Sequence, residues 1–215
     1  MLGEPVKWQG GDASEAPPRG EKYDRILEAA IEVIAQKGFE RARVSDIASS
    51  AGIADGTVYL YFKNKNVILR AAIDSAFAHF SDRVSASLAS AGGPIEQLKV
   101  IARLHLETLT AKRNLAIIIQ NELRQNHQFL EEFTHQPFVN YINLIRETIR
   151  RGQAEGAIRS ELSDRVAALC LFGALDELIS SWLYTGKPID TEHAAAQVLD
   201  VLLHGMSTRA DHAEP

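Results

Sequence analysis

The sequence predicts an all-α protein of about nine helices, in which a small N-terminal three-helix unit is followed by a larger helical body. Apolar residues recur at intervals of three to four through most of the chain, as they do on one face of a helix. No segment shows the two-residue alternation that is typical of a half-buried strand. Near the N-terminus, two short helical segments are joined by a turn that contains a glycine, which is the pattern of a helix-turn-helix.

Three helices are predicted within residues 20–65, which we take as the first domain. Apolar spacing indicates the first helix over 21–37, and Gly38 supplies a stop signal directly after it. The second is a helix of about two turns over 44–51, ended by Gly52. A third short helix begins near Asp55, whose side chain could cap its N-terminus.

The larger body is predicted over residues 66–210. A long helix follows Asn64, carries an apolar stripe and ends at the Gly-Gly-Pro break at 92–94. Further helices are predicted over 94–109, 112–125, from Pro137 to about 152, over 164–186 and over 191–206. The long helix crosses the boundary near residue 65, so it would link the two units mechanically.

Composition limits the class of protein. The chain has 215 residues, of which 46% are hydrophobic, so it can bury a sizeable core, and no apolar run reaches the roughly 18 residues of a membrane span. Residues 1–19 lack the basic start and apolar centre of a signal peptide, and their composition predicts a disordered arm. The single cysteine, Cys170, excludes a disulfide framework within one chain and is expected to be buried. Together these features predict a cytoplasmic protein.

The stretch ADGTVYLYFKNK, residues 54–65, is unusual for a core helix. Gly56 would let the backbone approach a phosphate closely, and free N–H groups at a helix start can bind one. Thr57, Tyr59 and Tyr61 offer hydroxyl groups to phosphates, and Lys65 could neutralise another. Val58 and Phe62 would then face inward. The stretch therefore predicts the second helix of a DNA-binding helix-turn-helix, placed in the major groove.

Few residues of this motif are suited to reading bases rather than phosphates. The candidates are Arg43, Ser45, Asp55 and Leu60. Any one of the residues in the motif, taken alone, could instead be an ordinary packing or solvated side chain. The constellation as a whole favours contact with DNA.

The charge distribution permits nucleic-acid binding without requiring it. The formal net charge is −5, which alone argues against a nucleic-acid partner. Within residues 41–65, however, cations outnumber acids, with Arg41, Arg43, Lys63 and Lys65 against Asp46 and Asp55. The chain is thus an acidic body with a weak basic patch at the predicted motif.

The segment RVSDIASSAGIADGTVYLYFKNKNVIL, residues 43–69, resembles the DNA-binding domain of TetR-family repressors. The shared pattern is IA-xx-AG-xxx-GT-x-Y-x-YF-xx-K-xx-L. The resemblance implies a homodimer that reads a palindromic operator, with DNA contacts at Ser45, Asp55, Gly56, Thr57, Tyr59, Leu60, Tyr61 and Lys65. Many members carry a threonine where Arg43 stands, so Arg43 is expected to reach a phosphate rather than cap the helix.

Two further segments, RNLAIIIQNELRQ and LFGALDELISSWL, look like the ligand and dimer domain of FadR-type members, the fatty-acid-degradation repressors of this family. This resemblance implies that residues 66–210 bind an effector and form the dimer. It also implies that long-chain acyl-CoA is the effector, that it releases the protein from operator DNA, and that the regulated genes encode β-oxidation enzymes.

An acyl-CoA effector needs a long apolar pocket with cations for the CoA phosphates. Candidate wall residues are Phe77, Phe80, Leu104, Ile118, Leu123, Phe138 and Ile142. Candidate phosphate ligands are Arg124, Arg146 and Arg150, and His105 could bond the thioester region. The competing interpretation is that the stripes are core, the arginines are in surface ion pairs, and the histidine is satisfied within the core.

The last two predicted helices are more apolar than two surface helices of a monomer need to be. A four-helix interface between two subunits would bury Leu171, Phe172, Leu175, Leu178, Ile179, Trp182, Val198, Val201 and Leu202. A monomer that buries these residues internally is the alternative.

Other functional classes find little support. The sequence contains no HExxH, GxSxG, Walker or GxGxxG motif, and its seven histidines show no metal-ligand spacing. We therefore expect no enzyme activity, no metal, no cofactor and no membrane partner. A helical protein-binding module would not favour Gly-Thr-Tyr-Tyr-Lys at these positions. Within the TetR family, a repressor that responds to a drug or an aromatic compound remains the alternative.

Overall fold

Nine α-helices and one π-helical segment form the part of the chain that the computed structural model describes, residues 20–123 and 135–206. In chain order they are α1 Glu21–Lys37, α2 Val44–Ala51, α3 Asp55–Tyr61, α4 Lys65–Leu88, α5 Pro94–Ala111, α6 Arg113–Ile117, the π-helical segment Ile118–Leu123, α7 His135–Ala154, α8 Asp164–Thr185 and α9 Thr191–His204. The predicted all-α class is confirmed. The arm predicted for residues 1–19 lies outside the described residues.

The predicted bounds of α1 and α2 agree with the structure, whereas the helix predicted over 112–125 does not continue as an α-helix. It changes to π-helical turns after Ile117. A π-helical turn holds an additional residue, so the side chains beyond this point face other directions than in a continuous α-helix.

The N-terminal unit is held together by the inward faces of three short elements. Ile26 and Ile34 of α1, Ile47 of α2 and Val58 of α3 are fully buried. Gly52 ends α2 with a positive φ of 64°, and a Cβ there would lie 2.9 Å from Arg25 Nη2. Only glycine fits this turn without strain, which confirms the predicted stop.

The starts of α2 and α3 differ from expectation. Asp55 is the first residue of α3 rather than its cap, because Ala54 precedes the helix and offers no side-chain bond. At α2, the Asp46 carboxylate accepts the backbone N–H of Arg43 at 3.0 Å. Lys37 contacts the same carboxylate at 2.9 Å, and the bonds from Lys37 and then Arg43 hold the pKa of Asp46 below its usual value. The start of α2 is therefore anchored by an acid one turn inside the helix.

The body is built around α5. This helix packs against α4, α7, α8 and α9, and its buried residues include Leu98, Ile101 and Leu106. Pro94 starts the helix, where its fixed φ is favourable. Because α5 is central, a side chain on it can contact several elements at once.

The two units meet along α1. This helix contacts α4, α6 and the π-helical segment. The DNA-facing unit is thus connected to the body both through the continuous helix α4 and through packing against the α6–π region.

By its length and apolar composition alone, α8 could cross a membrane, but a helix in a protein core can have the same length and composition. Here one face of α8 packs against α5, α7 and α9. It buries Leu171, Leu175, Asp176 and Ile179 inside the protomer. Packing within the protomer therefore explains one face of α8, whereas Val166 and Leu169 remain exposed on the other.

Candidate functional site

The outer face of α3 presents large side chains to solvent. Tyr59 is 56% exposed and Leu60 is 68% exposed, whereas Val58 and Phe62 are buried as predicted. Exposing a leucine and a tyrosine on one short helix has no explanation in the packing of the protomer. This face is the candidate contact surface of the helix-turn-helix.

Gly56, in the first turn of α3, is not needed by the fold. It is exposed, its φ is not positive, and a Cβ at this position would meet no atom within 4 Å. Glycine nevertheless costs about 1 kcal/mol relative to alanine inside a helix. The absence of a side chain therefore points to a partner that approaches the backbone here.

The remaining candidate DNA contacts fall into two groups. Arg43, Ser45 and Asp55 are exposed at the starts of α2 and α3. Thr57 and Tyr61 are half-buried, and the Tyr61 ring lies 6.3 Å from the ring of Tyr23 on α1. Tyr61 thus also packs α3 against α1.

Lys65 has a structural role that the sequence did not indicate. Its ammonium donates to the carbonyl oxygens of Phe39, Glu40 and Ala42, at 2.7, 3.1 and 3.4 Å. It also lies 4.4 Å from the centre of the Phe39 ring. The phosphate contact predicted for Lys65 stays a prediction, and the structure adds that three backbone carbonyl groups already accept from this ammonium.

We expect Lys65→Ala to destabilise the protein by about 1–3 kcal/mol, since it removes charge-assisted bonds to backbone carbonyls. Urea unfolding measures this loss. Lys63→Ala is the matched control, because Lys63 is exposed and should change stability by less than about 0.5 kcal/mol. Equal stability of the two variants would show that the Lys65 bonds contribute nothing.

A second candidate site lies in the centre of the body, around His105 on α5. His105 is buried, and its Nδ1 lies 3.0 Å from the Tyr141 hydroxyl of α7. Aromatic rings surround this pair: Phe80 contacts Tyr141 edge-on at 5.2 Å, and Phe172 contacts His105 edge-on at 5.9 Å. Phe138 packs against Phe172 at 5.1 Å. We call these five residues the His105 cluster.

The His105 cluster is uncharged at neutral pH. Burial lowers the pKa of His105 to about 4. Burial, followed by the nearby charge of Asp176, raises the pKa of Tyr141. The Nε2 atom of His105 is buried and has no hydrogen-bond partner among residues 20–123 and 135–206. A buried polar atom of this kind calls for a partner that these residues do not supply.

The stability of the protein should fall between pH 6.5 and pH 4 because of His105. The unfolded ring binds its proton at the ordinary pKa of 6.5, whereas the folded ring does so at about 4. As the pH falls, the unfolded state therefore gains the proton first, and up to about 3 kcal/mol of stability is lost. Urea unfolding at about pH 7 and about pH 4.5 should show a larger loss for the wild type than for His105→Gln. Equal losses would contradict this account.

The structure distributes the other candidate effector residues widely. Leu104, Ile118 and Ile142 are buried in the core, and Phe77 is half-buried against it. Arg124 lies outside the described residues, as does the side chain of Leu123. Of the predicted wall, Phe80 and Phe138 are brought together with His105.

Two of the predicted phosphate ligands are engaged in ion pairs. Arg146 Nε and Arg150 Nη2 each lie 2.9 Å from Oδ2 of Asp164 at the start of α8. Burial raises the pKa of Asp164, but the bond and charge of Arg146 and the charge of Arg150 outweigh it and leave the pKa lowered. The arginines therefore tie α7 to α8, which matches the competing interpretation of surface ion pairs.

Sequence reasoning missed a buried polar layer beside the His105 cluster. Gln120 donates to Asp176 at 2.6 Å, and Ser180 donates to the Gln120 side-chain oxygen at 3.1 Å. Asp176 is only 1% exposed. The sequence signal for this layer was Asp176, a single acid among the apolar residues on the buried face of α8. Tyr141 was missed as well, because its partner His105 is 36 residues away.

The predicted subunit interface needs correction at several positions. Leu171, Leu175 and Ile179 are buried in the core of the protomer, and Phe172 belongs to the His105 cluster. Leu178, Trp182 and Val198 are half-buried, while Val201 and Leu202 are exposed. Exposed residues that the prediction omitted are Val166, Leu169, Cys170 and Tyr184. The expectation of a buried Cys170 was wrong, since it lies on the outer face of α8.

Comparison with known proteins finds a family match for each of the two parts of the chain. Residues 26–72 match "Bacterial regulatory proteins, tetR family", and residues 73–205 match "YsiA-like protein, C-terminal region". The chain is 34% identical to the fatty acid metabolism regulator protein of Bacillus subtilis (strain 168), over 87% of this chain and 97% of that relative.

Two solved structures are similar over the whole fold. The fatty acid degradation regulator FadR from Bacillus halodurans has a TM-score of 0.83 and 36% identity, covering 90% of this chain and all of that one. FadR from Bacillus subtilis in complex with stearoyl-CoA has a TM-score of 0.80 and 33% identity, covering 86% of this chain and all of that one. With a matched N-terminal motif, a matched body and relatives of this similarity, the chain belongs to the TetR family of bacterial regulatory proteins.

Proposed function

We propose that this protein is a homodimeric transcriptional repressor of fatty-acid-degradation genes, released from operator DNA by long-chain acyl-CoA. The observation that carries the proposal is the His105 cluster, an aromatic centre with one buried polar atom that no described residue bonds. The similarity to a FadR structure that holds stearoyl-CoA supports the same effector class. A repressor for a drug or an aromatic compound is the weaker candidate, since these relatives favour a fatty-acyl effector.

The His105 cluster has the chemistry for an acyl thioester. Aromatic rings offer apolar surface to the acyl chain. When the Tyr141 hydroxyl donates to Nδ1 of His105, the hydrogen of the neutral ring resides on Nε2. That N–H can donate to a thioester carbonyl, which would satisfy the buried atom. The effector would thereby supply a partner that the described part of the protomer does not offer.

The helix-turn-helix supplies the DNA-binding half of the proposal. The first turn of α3, bare at Gly56, would approach a phosphate, and Tyr59 would donate its hydroxyl to another. Leu60 would contact base edges from the exposed face of α3, where a thymine methyl is a suitable partner. Arg43 and Ser45 would act from the start of α2.

The dimer would form through the exposed apolar face of α8 and α9, which includes Leu169, Val201 and Leu202. Two α3 helices would then lie about 34 Å apart, one turn of DNA. Effector binding would separate elements of the body, and α4 would carry the motion to the N-terminal units. Release requires the effector to bind the DNA-incompetent state more tightly, by roughly 1–3 kcal/mol or more.

In this proposal, residues 20–65 bind DNA. Residues 66–210 bind the effector and the partner subunit. Family matches over 26–72 and 73–205 support this boundary. As a regulator of transcription the protein would act in the cytoplasm, without enzyme activity and without a cofactor.

Transcript measurements in the bacterium that encodes the chain test this function. Deleting the gene should raise transcripts for β-oxidation enzymes during growth on sugar. Growth on a long-chain fatty acid should raise the same transcripts in the wild type, so that the wild type and the deletion strain have equal transcript levels. If deletion left those transcripts unchanged in both media, the proposed target genes would be wrong.

A further inference from the structure

The buried polar layer includes a residue of the π-helical segment. Gln120 Nε2 donates to Asp176 Oδ1 of α8 at 2.6 Å. Ser180, one turn further along α8, donates to Gln120 Oε1 at 3.1 Å and to the backbone oxygen of Asp176 at 3.2 Å. Both Gln120 and Asp176 are buried, at 9% and 1% exposure. A buried carboxylate held by an amide is a strong, directional contact.

The backbone at Gln120 is also unusual. π-helical turns are rare and are frequently found at functional sites. In this chain the segment Ile118–Leu123 directly follows α6, and Ile118 and Gln120 both face the interior. The local geometry therefore turns a polar side chain into the core, where it meets Asp176.

This polar layer lies between the two candidate sites. On one side, Asp176 lies one turn beyond Phe172 on α8, and the Phe172 ring contacts His105 at 5.9 Å. On the other side, the π-helical segment and α6 pack against α1 of the N-terminal unit. Packing thus connects His105 through Phe172 and α8 to the Asp176–Gln120 bond, and the π-helical segment that carries Gln120 to α1.

We infer that Gln120 and Asp176 are positioning residues that couple the His105 cluster to the DNA-binding unit, by holding the π-helical segment against α1. The inference rests on the proposed function. It adds a route to the one through α4, and it assigns the coupling to a specific hydrogen bond.

The Gln120–Asp176 hydrogen bond suits this role because the two side chains cannot separate gradually. Leaving a buried carboxylate without its donor is costly, so the pair favours discrete arrangements over intermediate ones. An acyl chain that enters the His105 cluster displaces Tyr141 and α8. The π-helical segment follows Asp176 through its bond to Gln120, and the packing of the segment against α1 changes.

The test separates coupling from binding. The double variant Gln120→Leu/Asp176→Leu removes both members of the hydrogen-bonded pair, so neither is left buried without the other. Asp176→Asn is the control, since its amide oxygen still accepts from Gln120. Gln120→Met, which keeps the side-chain length and removes the donor, is a second test variant in case the double variant does not fold.

The measurement is the dissociation constant of stearoyl-CoA, with and without a DNA duplex that the wild type has selected from a random pool. For the wild type, the ratio of the dissociation constant with DNA to the one without DNA should be about 10 to 100. In the double variant and in Gln120→Met the ratio should fall to less than about a third of the wild-type ratio, while each affinity measured alone stays within about threefold of wild type. Asp176→Asn should keep the wild-type ratio.

Three results would overturn the inference. A test variant with the wild-type ratio would show that the pair does not couple the sites. A test variant that loses more than about tenfold in either affinity alone would show a structural role instead. A wild type whose two affinities are independent would remove the proposed function and this inference together, whereas the first two results leave the proposed function intact.

Discussion

Gly56→Ala should weaken binding to operator DNA by at least about tenfold while leaving the protein as stable as the wild type or more stable. In the protomer, a Cβ at this position meets no atom within 4 Å. Alanine favours the helix by up to about 1 kcal/mol over glycine. On DNA, the added methyl group would keep the first turn of α3 away from the phosphate it contacts. Affinity and stability should therefore change in opposite directions.

Fluorescence anisotropy with a selected duplex gives the affinity, and urea unfolding gives the stability. Gly92→Ala is the matched control, because Gly92 is exposed between α4 and α5 and a Cβ there makes only ordinary contacts with Glu96. The control should bind DNA as the wild type does. If Gly56→Ala also retained full affinity, the start of α3 would not lie against the DNA backbone.

His105→Leu should weaken stearoyl-CoA binding by at least about tenfold and leave operator affinity unchanged. Leucine keeps the apolar character of the His105 cluster but cannot donate to the thioester carbonyl. Because the imidazole is neutral at pH 7, this loss should not depend on pH between about 7 and 8. His105→Gln, which retains an N–H donor, should recover part of the affinity.

Isothermal titration calorimetry measures these affinities directly. His79→Leu provides a matched control, since His79 is exposed on α4 and should not contact the effector. Both leucine variants should bind the selected duplex as tightly as the wild type. Full stearoyl-CoA affinity in His105→Leu would exclude the His105 cluster as the thioester site.

The helices were predictable because their signals are local. Amphipathic spacing and a following glycine define α1 and α2 within a few residues of chain, and Gly52 is required by its positive φ. The inward positions of Val58 and Phe62 follow from the same spacing. Periodicity could not reveal the π-helical segment, because it depends on how Gln120 meets Asp176 across 56 residues.

The roles of charged side chains were harder to predict because their partners are distant in sequence. Lys65 bonds carbonyls 23 to 26 residues away, so it links α4 to the loop after α1, a role that the predicted phosphate contact did not indicate. Arg146 and Arg150 pair with Asp164 on the next helix. Composition could show that these cations exist, but only the packing of helices decides which acid or carbonyl each one meets.

A similar limit applied to the apolar helices α8 and α9. Their composition indicates more apolar surface than one contact needs, yet it does not say which residues face inward. The structure assigns Leu171 and Ile179 to the core and leaves Leu169 and Val201 outside. The interface on α8 and α9 therefore stays a prediction, and part of the residues predicted for it face the core of the protomer instead.

The most direct test of the central claim is the release of DNA by effector. Fluorescence anisotropy would follow the protein on a labelled duplex of its own selection while stearoyl-CoA, free CoA or stearate is added at micromolar concentrations. We expect stearoyl-CoA to release the duplex, and free CoA and stearate to leave it bound. A complex that persists in saturating stearoyl-CoA would contradict an acyl-CoA-released repressor.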